Sequence, residues 1–175
     1  MTLFELDILY FLQEILKNDF LDSFMPKVTS LGNAGALWIG IAVVLLMFKK
    51  TRQTGLVMAA AMLCSFVFGN LILKNVIARP RPYVVDPNIV LLIKPSIEAG
   101  SFPSGHTMNA FSAAFVLTFR QEKFYGWAMM LAIVIAFSRI YLMMHFPTDV
   151  LGGIVIGYIS AALCCRFVPP VFDDN

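Results

Sequence analysis

The sequence predicts an all-α integral membrane helical bundle of about five transmembrane helices, with a sixth as the alternative for the N-terminus. Three observations carry this. Apolar residues make up 59% of the 175-residue chain and charged residues only 14%, at a mean hydropathy of +0.78; a soluble globule averages roughly half apolar and a quarter charged. Apolar runs near the roughly 20 residues needed to cross a bilayer core recur along the chain. Short charged turns separate them. The length fits one domain, residues 1–175.

Residues 3–18 read as an amphipathic helix. On a 3.6-residue period Phe4, Ile8, Phe11 and Ile15 share one face, and Asp7, Glu14, Lys17 and Asn18 lie opposite. Such a helix lies in the membrane interface with its apolar face in the acyl boundary. Residues 19–30 repeat the role with Phe20, Leu21, Phe24 and Val28, so that residues 1–33 form an amphipathic N-terminal segment. The alternative is a crossing by residues 3–24, which would take Glu5, Asp7 and Glu14 to depth at roughly 3 kcal/mol each.

Ser30-Leu31-Gly32-Asn33 breaks the pattern, and a first span runs from about Ala34 to Phe48, ending at the basic turn Lys49-Lys50-Thr51-Arg52. The second span, about Thr54 to Leu73, leads into Lys74 and Arg79-Pro80-Arg81-Pro82. Residues 83–102, with Pro87, Pro95 and Gly100, are too broken for a helix across lipid and form a loop. A third span starts at Ser104 and ends before Arg120-Gln121-Glu122-Lys123. The fourth covers about Phe124 to Met144, and the fifth about Thr148 to Phe167.

Composition also excludes. A net charge of +2 is too small to argue for a nucleic-acid partner. Cys64, Cys164 and Cys165 all fall in apolar runs without a metal-ligand spacing, so they read as small apolar fillers and no metal site is expected. Glu5 and Asp7 stand where a leader would carry basic residues, so no cleavable signal peptide is expected.

The polar residues of this apolar chain fall into three motifs, and ionisable groups at membrane depth are too expensive to keep without a function. Lys74 is followed by six residues and Arg81-Pro82; Pro103-Ser104-Gly105-His106 opens the third span; Ser138-Arg139, five residues, His145, three residues and Asp149 join the fourth to the fifth. By the span order all three motifs reach the same side of the membrane, which points to one composite site. Arg81 and Arg139 each offer a bidentate fork and Lys74 a point charge, suited to the charge that spreads over a phosphate in transfer. Ser104 is positioned to cap a helix, Gly105 lets a ligand approach the backbone, and the free N–H groups there favour an anion. His106 could donate a proton to a leaving oxygen. If the chain turns helically from His145 to Asp149, the carboxylate accepts from one imidazole nitrogen and leaves the other free to attack phosphorus. Arg79 and Lys94 read as side chains snorkelling to headgroups.

Taken together, the three motifs resemble the type 2 phosphatidic acid phosphatase superfamily, with no departure at any motif position across residues 74–149. The apolar runs on either side resemble its membrane branch. The resemblance implies a metal-independent, cofactor-free phosphatase in which Lys74, Arg81, Arg139, Ser104 and the Gly105 amide bind phosphate. It implies His145 as nucleophile through a phosphohistidine, Asp149 orienting it, and His106 protonating the leaving group. The implied substrate is a membrane lipid phosphate: undecaprenyl pyrophosphate or phosphatidylglycerophosphate first, then phosphatidic acid or a lipid A phosphate. A small transporter or channel is the competing class; against it, the polar residues gather at one membrane face instead of threading the spans. With the three motif cations set aside, Lys17, Lys27, Arg79 and Lys94 on the motif side stand against Lys49, Lys50, Arg52, Arg120, Lys123 and Arg166 on the other. The positive-inside bias then puts the site on the outer face of a multi-pass cell-membrane protein.

Overall fold

A computed structural model describes residues 2–95 and 100–168, and the described residues contain helices and turns but no strand. The helices are α1 (Thr2–Leu16), α2 (Asp19–Leu31), α3 (Ala36–Met47), α4 (Arg52–Ser65), α5 (Lys74–Ile77), α6 (Pro82–Val85), α7 (Gly105–Phe119), α8 (Tyr125–Tyr141) and α9 (Pro147–Phe167). A 3₁₀ turn (Asn33–Gly35) precedes α3, and a π-helical stretch (Phe66–Leu73) joins α4 to α5. The all-helical expectation holds. Within the expected 83–102 loop, α6 adds one helical turn, and residues 96–99 lie outside the described residues.

Two helical stretches are each long and apolar enough to cross a bilayer, Arg52–Val85 and Pro147–Phe167. A third crossing is available if α2 and the Asn33–Met47 helix act as one broken span bent by 43°. The expected break at residues 30–33 is present, since α2 ends at Leu31 and α3 starts at Ala36. Left-handed Ala34 (φ 51°) and Gly35 (φ 67°) make the bend between the two helices. α8 is apolar but has 17 residues, and α7 has 15, about 22 Å at 1.5 Å per residue against a core of roughly 30 Å. Large apolar side chains such as Val44, Leu63, Phe68, Trp127, Val155 and Leu163 stay exposed, an outer surface suited to acyl chains rather than water.

α1 keeps its expected apolar face outward and turns a further stripe inward. Phe4, Phe11 and Ile15 are exposed, whereas Leu6, Leu9 and Glu5 are buried against the rest of the protein. Leu6 and Leu9 pack on Met143 and Phe146, and Tyr10 donates a 2.7 Å hydrogen bond to Asp86. α2 starts where Asn18 Oδ1 accepts from Leu21 N, with Asp19 and Asp22 in a first turn that favours negative charge.

α7 is the central helix, packed on α4, α8 and α9. Its contact with α9 depends on missing side chains. A Cβ at Gly153 would stand 2.9 Å from Thr107 Cβ and 3.0 Å from Ser104 O, and one at Gly157 would stand 2.9 Å from Ser112 N. Small residues four apart let membrane helices approach backbone to backbone. Gly55 does the same for α4 against α3, where a Cβ would come 2.8 Å from Ala42 O. The far ends of these helices carry the basic turns, joined by a 2.7 Å bond from Thr54 Oγ1 to Glu122 Oε1. The near ends carry the three motifs.

Candidate active site

The π-helical stretch sits directly before Lys74. It adds a residue to the helical turn and shifts the phase of the next residues, bringing Asn70 and Lys74 to one cavity wall. Gly69 lies so near α7 that a Cβ would overlap the Met108 side chain. Left-handed Ala78 (φ 44°) then ends α5, and the chain returns extended through Arg81 into Pro82. Both Lys74 and Arg81 are buried.

Ser104 occupies the N-cap position of α7 but does not cap through its side chain; its Oγ accepts from Thr107 Oγ1 at 2.9 Å. Its backbone N–H donates to Asp149 O at 3.1 Å, which ties the start of α7 to the start of α9. The neighbouring Phe102–Pro103 peptide is cis. His106 Nε2 lies 3.0 Å from Asn33 Oδ1, so the turn before α3 holds the imidazole.

Arg139 is buried in the last turn of α8 and donates to Thr29 Oγ1 at 2.6 Å. Left-handed Met143 (φ 55°) and bonds from Met144 N and His145 N to Arg139 O fold residues 142–145 tightly. Pro147 then opens α9 with Asp149 as its third residue. Asp149 Oδ2 accepts from Phe146 N at 2.8 Å and from Ser101 Oγ at 2.5 Å. The same oxygen is 3.6 Å from His145 Nδ1, in ion-pair range but past hydrogen-bond length, with Ser101 Oγ 3.5 Å from that nitrogen. The backbone does not turn helically from His145 to Asp149, because Phe146 between them is extended (ψ 156°); the carboxylate instead reaches back past its own N-cap, capping α9 and approaching the imidazole at once. A few tenths of an ångström separate the pair from a direct bond.

With Nδ1 facing the carboxylate and carrying the proton, His145 Nε2 keeps its lone pair, 3.3 Å from Arg81 Nη1. Burial holds this imidazole well below its ordinary value, at about 3; Arg139 and Arg81 push the same way against the opposing pull of Asp149. It is neutral at physiological pH.

Arg81, Gly105, His106, Arg139 and His145 line one cavity of about 280 Å³. Lys74 lines an adjoining cavity of about 340 Å³, and Phe66 and Asn70 face both. Ser104 and Asp149 are fully buried behind the wall. A third, apolar cavity of about 270 Å³ shares Ala34, Phe66 and Asn109 with the first and runs between α3 and α4 along Ile39, Val43 and Leu63. Among the described residues no group of three His, Cys, Asp or Glu side chains is arranged to hold a metal ion.

Five residues enter the site that sequence reasoning missed. Asn33 and Ser101 hold the two histidines as described. Asn70 Oδ1 is buried without a hydrogen-bond partner, and its side chain lies beside Gly105, where a Cβ would come within 3.2 Å. The reading of Arg79 as a snorkelling side chain is overturned. Its guanidinium turns inward, stacks 4.1 Å from the Phe146 ring centroid, donates to Asp149 Oδ1 at 2.8 Å, and pairs with buried Glu5 of α1.

Comparison with known proteins identifies the family. The family model described as PAP2 superfamily matches residues 53–173. The chain is 32% identical over 124 residues to an undecaprenyl-diphosphatase of Sulfolobus acidocaldarius, covering 69% of this chain but only 58% of that protein. It is 31% identical to the undecaprenyl-diphosphatase BcrC of Bacillus subtilis, covering 86% of this chain and 76% of the relative. The crystal structure of a transmembrane PAP2-type phosphatidylglycerolphosphate phosphatase from Bacillus subtilis superposes with a TM-score of 0.76 at 28% identity, covering 98% and 87% of the two chains. The chain belongs to the PAP2 superfamily.

Proposed function

We propose that this protein is an integral-membrane lipid phosphatase that hydrolyses a lipid phosphomonoester or pyrophosphate through a phosphohistidine. The observation that carries the reading is His145 Nε2, neutral and 3.3 Å from the Arg81 guanidinium, in a cavity that also holds Arg139 and His106. Nε2 attacks phosphorus, the bond from phosphorus to the leaving oxygen breaks, and His106 supplies that oxygen's proton. His106 then takes a proton from water as it attacks the phosphohistidine, which releases phosphate and restores the Nε2 lone pair. Lys74, Arg81 and Arg139 balance the charge on the transferring group, with the Ser104 hydroxyl and Gly105 amide as further donors. None of these steps calls for a metal or cofactor.

The apolar cavity that opens from the site between α3 and α4 suits the first carbons of a lipid tail. The names of the relatives make undecaprenyl diphosphate the first substrate to try and phosphatidylglycerophosphate the second. About five crossings, with α1 in the interface, would place the site at the outer membrane face, because the basic turns at Lys49–Arg52 and Arg120–Lys123 lie at the opposite helix ends.

The test is phosphate release by purified protein in detergent from a panel of prenyl and glycerol lipid phosphates, with and without chelator. Hydrolysis that persists in chelator and disappears in His145→Ala is expected. Full hydrolysis by His145→Ala would remove the nucleophile. Vanadate should inhibit as an analogue of the five-coordinate phosphoryl group.

A further inference from the structure

We propose that Glu5, on the N-terminal helix, is a positioning residue for the His145–Asp149 pair and acts through Arg79. It deepens the lipid-phosphatase reading and rests on it. Glu5 is a buried carboxylate on a helix whose other buried neighbours are leucines, and it is fully engaged. Its Oε1 accepts from Thr148 N at 3.1 Å and from Thr148 Oγ1 at 2.6 Å, and its Oε2 pairs with Arg79 Nη2. Arg79 Nη1 in turn donates to Thr148 Oγ1 at 2.7 Å and to Asp149 Oδ1 at 2.8 Å. One guanidinium thus joins two carboxylates from opposite ends of the chain.

The geometry gives this bridge a definite effect. A carboxylate near an imidazole must present one oxygen along the Nδ1–H direction, and free rotation would spoil that alignment. Arg79 fastens Oδ1 of Asp149, while Phe146 N and Ser101 Oγ fasten Oδ2, so the rotation that aims Oδ2 at His145 Nδ1 is set from both sides. Arg79 alone would be a weak fastening, because a long cationic side chain at a membrane surface gains by turning out to the headgroups. Glu5 supplies the second charge that keeps it turned inward. The Glu5 carboxylate also receives the Thr148 N–H at the start of α9, where the helix dipole favours negative charge. Leu6 and Leu9 meanwhile pack on Met143 and Phe146, which flank His145. α1 lies outside residues 53–173, the stretch that matches the family model, so the contact comes to the catalytic motifs from beyond that stretch.

Glu5→Gln keeps the shape and the Thr148 acceptor but removes the charge; Arg79→Lys keeps the charge but cannot bridge two carboxylates. Each is expected to lower kcat about 10- to 100-fold with KM unchanged, the scale on which misplacement of a reacting group by up to an ångström costs rate. The loss should be equal for undecaprenyl diphosphate and for the soluble substrate p-nitrophenyl phosphate. The double variant should lose no more than the worse single, because the two residues act in series. Tyr10→Phe, which cuts another tie of α1 to the body, should leave kcat unchanged. Variants are compared at equal monodispersity in detergent, and Glu5→Asp, which restores the charge on a shorter arm, should recover part of the rate lost in Glu5→Gln. Wild-type kcat in both single variants, additive losses in the double, or a loss confined to the lipid substrate would each overturn the inference. A wild type that releases no phosphate from either substrate would overturn the lipid-phosphatase reading itself.

Discussion

Gly153 gives a prediction whose size can be worked from the packing. An added methyl would stand 2.9 Å from Thr107 Cβ and 3.0 Å from Ser104 O, where ordinary contact begins near 3.4 Å. Half an ångström of separation between α7 and α9 is therefore required, at the level where Ser104 N donates to Asp149 O. Helix propensity alone favours alanine over glycine by about 1 kcal/mol. Overpacking of a tight interior costs about 1–3 kcal/mol, so Gly153→Ala should be destabilising on balance, or neutral at best. Turnover should fall about tenfold, since errors well under an ångström at reacting groups already reduce rate. Gly157→Ala meets Ser112 N at 2.9 Å one turn further from the site and should lose stability with little loss of turnover. Gly126→Ala meets nothing within 4 Å and should be neutral or stabilising. Thermal midpoints in detergent and phosphate release under saturating substrate read both quantities. Gly153→Ala with wild-type turnover, or Gly126→Ala as harmful as Gly153→Ala, would refute the argument.

Four further outcomes are expected. His106→Ala should slow the burst phase with lipid phosphates far more than with p-nitrophenyl phosphate, whose leaving group needs no proton; an equal burst-phase loss with both substrates would remove the acid role. Asp149→Asn should stay folded and lose at least about 100-fold in kcat, as loss of tautomer control does in comparable dyads, measured beside its thermal midpoint. Asn70→Ala, at the wall shared by the two polar cavities, should lower kcat/KM for a diphosphate more than for a monophosphate, read by competition between the two. Because the fold holds His145 neutral down to about pH 3, its contribution to stability is complete above about pH 6.5 and is lost as pH falls from there towards 3. The midpoint of wild type relative to His145→Asn should decline through that window and stay flat above it.

The residues of the site were legible for a physical reason. In an apolar chain a buried cation or imidazole stands out, and Lys74, Arg81, His106, Arg139, His145 and Asp149 all lie at helix ends that span counting can place. Their partners were not legible. Glu5 meets Arg79 across 74 residues and Asn33 meets His106 across 73, so no local spacing records either contact. Arg79 resembled any arginine at a membrane surface until the fold supplied two carboxylates. The π-helical stretch was equally hidden, because Phe66–Leu73 is apolar nearly all round and offers no period to shift. The break before α3 was legible, because Gly32 and Asn33 are turn residues and the structure parts α2 from α3 there. One signal was available and unused: Gly153 and Gly157, four apart on an apolar helix, already mark a close helix contact.

The central claim is that phosphorus is transferred to His145. Rapid acid-free quenching of the protein during turnover of labelled undecaprenyl diphosphate tests it most directly. Wild type is expected to carry a label that is stable to alkali and lost in acid, mapped to the peptide containing His145 and absent from His145→Ala. A label on Ser104, or one that persists in His145→Ala, would contradict the account.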